Sequence, residues 1–276
     1  MSYYYLISSL PDLSIGMDTK QIDFEKTFDL IQRNLTPEDK ELFRYLIYPN
    51  DISNLLSILF YEYHQLPLLS FKKVAVFSEE EVRDYRFFKS NFPDFLNDFL
   101  IENEARFPTM TMQEMEEKLM ANFYEEVTNL NNPFIDEYFH FLKKLKNLGA
   151  AFNYSAYKFL SEPFIKDSER LIGQIGPNSS PTATLTKDFP YVEVLVKVLS
   201  EGEPEKIENF IDRILWDFLE DNNKSSFSRE EVFTYTLKLQ MLQRWSMLDF
   251  KEGLKRFEKL HKNIISNVQF PKASMI

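Results

Sequence analysis

Cysteine is absent from this sequence. That excludes a disulfide framework, a thiolate zinc site and a cysteine nucleophile, and it fits a cytoplasmic location. Glycine is scarce, 6 residues against 27 Phe and 14 Tyr. Such a balance suits helix packing and disfavours β-sandwiches and dinucleotide folds, which need glycine turns. No apolar run approaches the ~18 residues of a membrane span, so no transmembrane segment is expected. No basic region precedes an apolar one at the N-terminus, so no signal peptide is expected either. Positive charge is in deficit, leaving a net charge of −11. An acidic chain has no electrostatic drive toward nucleic acid or an anionic membrane, so nucleic acid is excluded as a partner. The acidity suits solubility, or pairing with basic partner surfaces.

What is present is apolar and helical. At 44% apolar residues over 276 positions, the chain can bury a sizeable core. Tyr3-Tyr4-Tyr5-Leu6-Ile7 is β-prone and breaks at Pro11, so a short strand or extended arm is expected there. Phe24, Phe28 and Ile31 share one helical face. Thr36-Pro37-Glu38-Asp39 is a helix start, with an N-cap, a first-turn proline and acids on the positive end of the dipole. Pro49 is expected to end that helix. Asn50-Asp51 would open the next, with Ile52, Leu55, Leu56 and Leu59 on its face. Val74–Phe77 reads as extended. Ser78 with Glu81, and Thr111 with Glu114, fit capping boxes. Asn132-Pro133 opens a longer helix through Phe152. Residues 172–187, with Gly173, Gly176, Pro177 and Pro181, read as a flexible surface loop between lobes. Asp188-Phe189-Pro190 and Glu203-Pro204 restart helix.

The longest pattern runs from Ser228 to Phe270. Ser228 and Glu231 fit a third capping box, followed by Val232, Tyr235, Leu239, Leu242 and Trp245, then Leu254, Phe257, His261, Ile264 and Val268. A straight helix of roughly 40 residues would span about 60 Å. A globule of this chain length is about 50 Å across, so either the helix bends near Gly253 or the molecule is elongated. An internal repeat is also visible. Asn54-Leu55-Leu56-Ser57-Ile58-Leu59-Phe60-Tyr61 aligns with Asn147-Leu148-Gly149-Ala150-Ala151-Phe152-Asn153-Tyr154, as in proteins assembled from repeated helical hairpins.

Catalytic chemistry finds little support. The sharpest pattern is a pair of Glu-x-x-His motifs, Glu137 with His140 and Glu258 with His261. Two such motifs plus two further glutamates surround the metal pair of di-iron carboxylate bundles, and the i, i+3 spacing puts both ligands on one helical face. No clear candidates supply the other two glutamates. Glu137 and His140 line up with Lys144 as the edge of a solvated face, and His261 falls between Phe257 and Ile264 as a core residue would. His64 has no ligand partner in sequence and reads as structural. Glu79-Glu80-Glu81 reads as a helix start, and Glu114 to Glu117 as the solvated side of an amphipathic helix. Gly173-Gln174-Ile175-Gly176 lacks the Walker lysine and the Rossmann glycines. No G-x-S-x-G elbow occurs. Met110, Met112, Met115 and Met120 suit a core or an adaptable contact surface. No cofactor is indicated.

Several strings resemble a poorly characterised bacterial family encoded beside the genes of V-type ATP synthase, at the place where its C-type connector is expected. They are Tyr3-Tyr4-Tyr5-Leu6 through Pro11, Asp188-Phe189-Pro190-Tyr191-Val192, Asp212 with Trp216, and Lys238-Leu239 followed by Arg244-Trp245-Ser246-Met247-Leu248-Asp249 and Gly253. The chain is also similar to the C-type connector of V-type ATPases itself (the d-type connector in eukaryotes) at Leu145-Lys146-Asn147-Leu148 and Ala150-Ala151-Phe152-Asn153. It departs from that connector just beyond, with Tyr154-Ser155-Ala156-Tyr157-Lys158 where an Arg-Lys pair is usual, and it shows two of the three repeats.

The resemblance implies an all-α fold of multi-helix bundle repeats, with residues 1–276 as a single body. It implies a non-catalytic connector on the cytoplasmic side of the membrane, peripheral to it. The partners would be the central shaft and the membrane rotor ring, and the role the passage of torque between them. Asn147, Asn153, Arg244, Trp245, Leu248, Asp249 and Gly253 would be helix-packing positions. In that setting Trp245 and Leu248 pack the long helix on its neighbours, and Arg244 and Asp249 pair with each other or with nearby helix ends. A generic helical scaffold and a di-iron protein are the alternatives.

Overall fold

The computed structural model describes residues 2–157, 174–177, 180–223 and 225–247. Among them are twelve α-helices and no β-strand, so the chain is all-α. In order they are α1 Tyr4–Ser9, α2 Phe24–Asn34, α3 Pro37–His64, α4 Glu79–Arg83, α5 Tyr85–Phe88 and α6 Asp94–Asn103. There follow α7 Met112–Asn129, α8 Pro133–Tyr157, α9 Ala183–Asp188, α10 Val192–Glu201, α11 Pro204–Asn222 and α12 Arg229–Met247. No helix among the described residues is long and apolar enough to cross a membrane.

The local start signals act as their chemistry requires. Thr36 Oγ1 accepts the Asp39 N–H at 3.2 Å, and Pro37 opens α3 without needing an N–H. Ser78–Glu81 and Thr111–Glu114 form complete capping boxes. The third box is modified. Ser228 Oγ accepts the Glu231 N–H at 3.2 Å, but the Glu231 carboxylate reaches back to the N–H of Phe227. Phe227 has φ +60°, a left-handed conformation rare for an aromatic residue. Its carbonyl accepts the Tyr3 N–H at 2.7 Å.

That contact explains why the N-terminus is not the expected strand or extended arm. Tyr3 and Leu6, three residues apart, are buried, while Tyr4 and Tyr5 are exposed. The period is helical rather than alternating. Docking on the start of α12 fixes that period, with the Tyr3 hydroxyl donating to Asp39.

Pro49 does not end α3. The helix continues to His64, so the expected break and restart at Asn50-Asp51 is corrected. A proline inside a helix forfeits one backbone bond and costs about 3 kcal/mol. Here Leu46, Ile47, Tyr48, Ile52, Leu55 and Leu56 are all buried around it, and tertiary packing outweighs the local cost. Val74–Phe77 is a series of bends rather than extended. Its backbone groups bond to side chains of α3 instead of to a neighbouring strand. Asn50 Nδ2 donates to the Val74 carbonyl at 2.9 Å, and the Asp51 carboxylate accepts from Val76 and Phe77.

The stretch 172–187 also differs from a plain surface loop where it is described. Ile175 and Leu185 are buried, and α9 begins within it, capped by Thr182. Of the long pattern from Ser228, helix is described as far as Met247, and the remainder lies outside the described residues. α3 packs against α4, α7 and α12, and α12 packs against α2, α3 and α11.

One hydrophobic cluster runs from Tyr3 to Leu242. Aromatic rings link its helices into a closed circuit. Tyr48 of α3 meets Phe95 of α6 at 5.4 Å, Phe95 meets Phe123 of α7 at 5.2 Å, and Phe123 meets Phe139 of α8 at 5.0 Å. Phe134, also on α8, meets Phe233 of α12 at 6.0 Å, and Phe233 returns to Phe43 of α3 at 6.3 Å. Mostly edge-on or tilted contacts of this kind add to the area buried. Phe141 of α8 stacks on Phe218 of α11 at 4.2 Å, tying in the C-terminal hairpin.

The repeat read at Asn54 and Asn147 extends to whole helices. The same displacement along the chain separates those two asparagines and the helix ends Asn129 and Asn222. Thus α3 with α7 corresponds to α8 with α11. Both asparagines are buried.

Candidate functional site

Two of the expected packing residues, Arg244 and Trp245, converge on one partner. α11 and α12 run antiparallel. Arg244 Nη2 and the Trp245 indole N–H both donate to the carboxylate of Asp212, which is 5% exposed. Arg244 also reaches Glu208 at 3.4 Å. Arg244 thus pairs with α11, and Asp249 lies outside the described residues. Trp245 is half-buried, with its indole N–H bonded to Asp212.

Toward the other end of the same hairpin, Lys238 is 8% exposed. It donates to Glu220 Oε1 at 2.5 Å and lies 4.8 Å from the ring centroid of Trp216. A cation over an indole face is attracted by the ring quadrupole as well as by the carboxylate. Two polar pins therefore fix α11 against α12 across an otherwise apolar seam. Asp212 and Trp216 sit one turn apart on α11, which is why both pins face the same neighbour.

The other sequence candidates disperse. Asn147 is buried in α8, whereas Asn153 is exposed. Leu248, Gly253, Glu258 and His261 lie outside the described residues. Glu137 and His140 are both exposed on α8, on the solvated face their spacing with Lys144 indicated. No group of three or more His, Asp or Glu residues is placed to hold a metal among the described residues. His64 packs its ring against Phe60 at 6.5 Å. Met110, Met115 and Met120 are core residues, while Met112 is exposed.

Two shallow clefts are open to solvent. One, about 410 Å3, lies between α2, α3 and residues 73–75, with Glu25, Lys26, Asp29 and Lys73 among its lining. The second, about 620 Å3, lies where the first turns of α3 and α12 meet, beside the Asp39–Arg229 pair at 3.1 Å. No histidine lines either cleft.

The residue that sequence reading missed is Asp51. It is 1% exposed. Its oxygens accept from Val76 N–H at 3.0 Å and Phe77 N–H at 3.0 Å. Burial pushes its pKa up to about 7, against the backbone donors that favour the charged form. Its neighbour Asn54 does similar work one turn on, bonding both the carbonyl and the N–H of Lys72 at 3.1 and 2.9 Å. Ser57 Oγ accepts the Leu69 N–H at 2.9 Å. α3 thus carries a polar seam, Asn50, Asp51, Asn54 and Ser57, on which residues 69–77 hang. In sequence this seam resembled a helix opening followed by ordinary polar positions. Its partners lie 12 to 26 residues away.

The arrangement can hold helices rigidly and present surfaces between them. No curated protein and no solved structure matches this chain. A family model does match, over residues 1–268, with the description "Protein of unknown function (DUF2764)". The chain therefore belongs to the DUF2764 family, whose description assigns no activity.

Proposed function

We propose that this chain is a non-catalytic connector in the central stalk of a V-type rotary ATPase or ATP synthase, joining the shaft to the membrane rotor ring. The observation that carries the reading is the repeat. A buried asparagine in each of α3 and α8, and the ends of α7 and α11, recur at one displacement along the chain. Repeated helical bundles are what the resemblance to the C-type connector implies. The strings that carry the family resemblance include Asp212, Trp216, Lys238, Arg244 and Trp245, which here form the two pins of one hairpin.

The mechanical task favours such a body. Torque is lost wherever a connector opens locally. A ring circuit through α3, α6, α7, α8 and α12 resists shear between any two of them, because displacing one helix disturbs packed contacts on both sides. In this role the chain lies on the cytoplasmic face of the membrane, peripheral to it, and contacts shaft and ring by protein surfaces alone.

The test is affinity purification of the tagged chain from its native membranes, with mass spectrometry of what accompanies it. Recovery of the catalytic, shaft and ring proteins of the ATPase is the expected result. Recovery of the chain without them refutes the connector role.

A further inference from the structure

The strap that hangs on α3 is held differently at its two ends. At the near end the N–H groups of Leu69 and Lys72 are bonded by Ser57 and Asn54, side chains that do not titrate. At the far end the N–H groups of Val76 and Phe77 share one acceptor, the buried carboxylate of Asp51. Residues 73–77 are a series of bends and make no backbone–backbone hydrogen bond among the described residues. The Phe77 ring is fixed against Tyr48 at 6.2 Å and Phe92 at 4.7 Å. The part able to lift is therefore the stretch between Lys72 and Phe77. Its Lys73, Val74 and Ala75 wall the open cleft of about 410 Å3, so water stands on its outer side. Lys73 is tied to Glu25 of α2 at 2.9 Å, an exposed pair that contributes little.

A charge at Asp51 is uncompensated. No lysine, arginine or histidine bonds it among the described residues, and its acceptors are filled by backbone N–H groups. Glu81 acts on it from α4, with the same sign. Tyr48 stands three residues before it on α3, and Arg44, Glu41 and Glu126 of α7 act on that phenol. An ionised carboxylate enclosed without a cation is costly. The neutral form keeps its contacts: with the proton on Oδ2, Oδ1 still accepts from Val76 at 3.1 Å and Phe77 at 3.0 Å. Burial accordingly outweighs the pull of the N–H groups and raises the pKa to about 7.

We propose that Asp51 and residues 73–76 form a proton-operated latch: neutral Asp51 keeps the stretch seated on α3, and ionised Asp51 lets it lift at the cleft so that water hydrates the carboxylate. The device is independent of the connector reading. In the lifted state the carboxyl ionises in the ordinary acidic range; in the seated state it holds its proton to neutral pH. Lifting therefore becomes easier by about tenfold per pH unit as pH rises between those ranges, and the gain stops once the seated form is ionised too. The opening is local, because the two neutral ties at Leu69 and Lys72 and the packed Phe77 ring bound it.

Amide exchange of the full-length chain, read residue by residue by NMR from pH 5 to 8, tests the latch. Each rate is divided by the intrinsic rate at the same pH, which leaves the protection factor. Protection at Val76 and Phe77 is expected to fall about tenfold per pH unit up to pH 7 and then to level. Protection at Leu69 and Lys72, on the same strap but bonded by neutral side chains, is expected to stay constant. In Asp51→Asn the slope at Val76 and Phe77 should vanish.

Protection at Val76 and Phe77 that is flat or rises with pH overturns the proposal. So does a fall shared equally by Leu69 and Lys72, since the whole strap or the whole molecule is then opening. A slope that survives in Asp51→Asn assigns the titration to another group and overturns it as well. The profile of the natural chain decides the first two outcomes without any variant.

Discussion

Replacing Asp51 by Asn should change how stability depends on pH more than it changes the fold. The carboxyl is 1% exposed and burial raises its pKa from the ordinary 3.8 to about 7. Between those values the folded chain holds a proton that the unfolded chain has released. The folded state therefore binds more protons, and stability falls as pH rises through that window. A difference of roughly 3 pKa units corresponds to ~4 kcal/mol, an order-of-magnitude figure, with a slope near ~1.4 kcal/mol per pH unit. The contribution is fully present below about pH 4 and lost above about pH 7. Asparagine keeps an oxygen where Asp51 Oδ1 accepts from Val76 at 3.1 Å and Phe77 at 3.0 Å, and it removes the ionisation. Urea unfolding followed by circular dichroism from pH 4.5 to 8 is the assay. Subtracting the Asp51→Asn curve from that of the natural chain cancels the other carboxylates. The difference should decline with pH in favour of the variant above neutrality. A flat difference, or one rising with pH, would show that the three N–H contacts outweigh desolvation and would refute the reasoning.

Two further outcomes concern the pinned surfaces. Asp212→Ala should cost about 2 kcal/mol in urea unfolding, mostly from the stranded Trp245 N–H, because half-exposed Arg244 regains water and keeps Glu208. Asp212→Asn should recover most of that loss, and equal effects of the two changes would mean that the hydrogen bonds carry little. Asn54→Ala should cost a similar ~2 kcal/mol and speed amide exchange at Lys72, whose N–H and carbonyl both lose their partner; unchanged exchange there would show that residues 69–77 are held by something other than the α3 seam.

The local features of the fold were legible in the sequence. Thr36, Ser78 and Thr111 announce helix starts because cap and acceptor lie within one turn of each other. Phe28 and Ile31, or Phe95 and Phe99, announce buried faces by spacing alone. Long-range competition defeated the local rules elsewhere. Pro49 reads as a breaker until the buried side chains on both sides of it are placed, and Tyr3-Tyr4-Tyr5 reads as a strand until Phe227 and Asp39 claim Tyr3. At the α11–α12 junction, Arg244 and Trp245 were picked out by resemblance, but their acceptor lies 32 and 33 residues upstream. Asp51 was hidden for a related reason. A carboxylate beside Asn50 looks like a helix cap, and nothing nearby shows that its true clients are the N–H groups at 76 and 77.

The clasp between the two ends of the described chain has a consequence in time. Tyr3 and Asp39 close on Phe227 and Arg229, and the Asp39–Arg229 pair spans 190 residues. Phe43 likewise waits for Phe233, and the Leu46 carbonyl for Gln240. At synthesis rates of about 5–20 residues per second, the face of α3 that meets α12 stays uncovered for ~10–40 s on the ribosome. The α3–α7 hairpin is complete long before then and can shelter part of that surface. A nascent chain of this kind is exposed to aggregation through its first long helix, and a stall before α12 emerges leaves the molecule open along the side that its last described helix was to close.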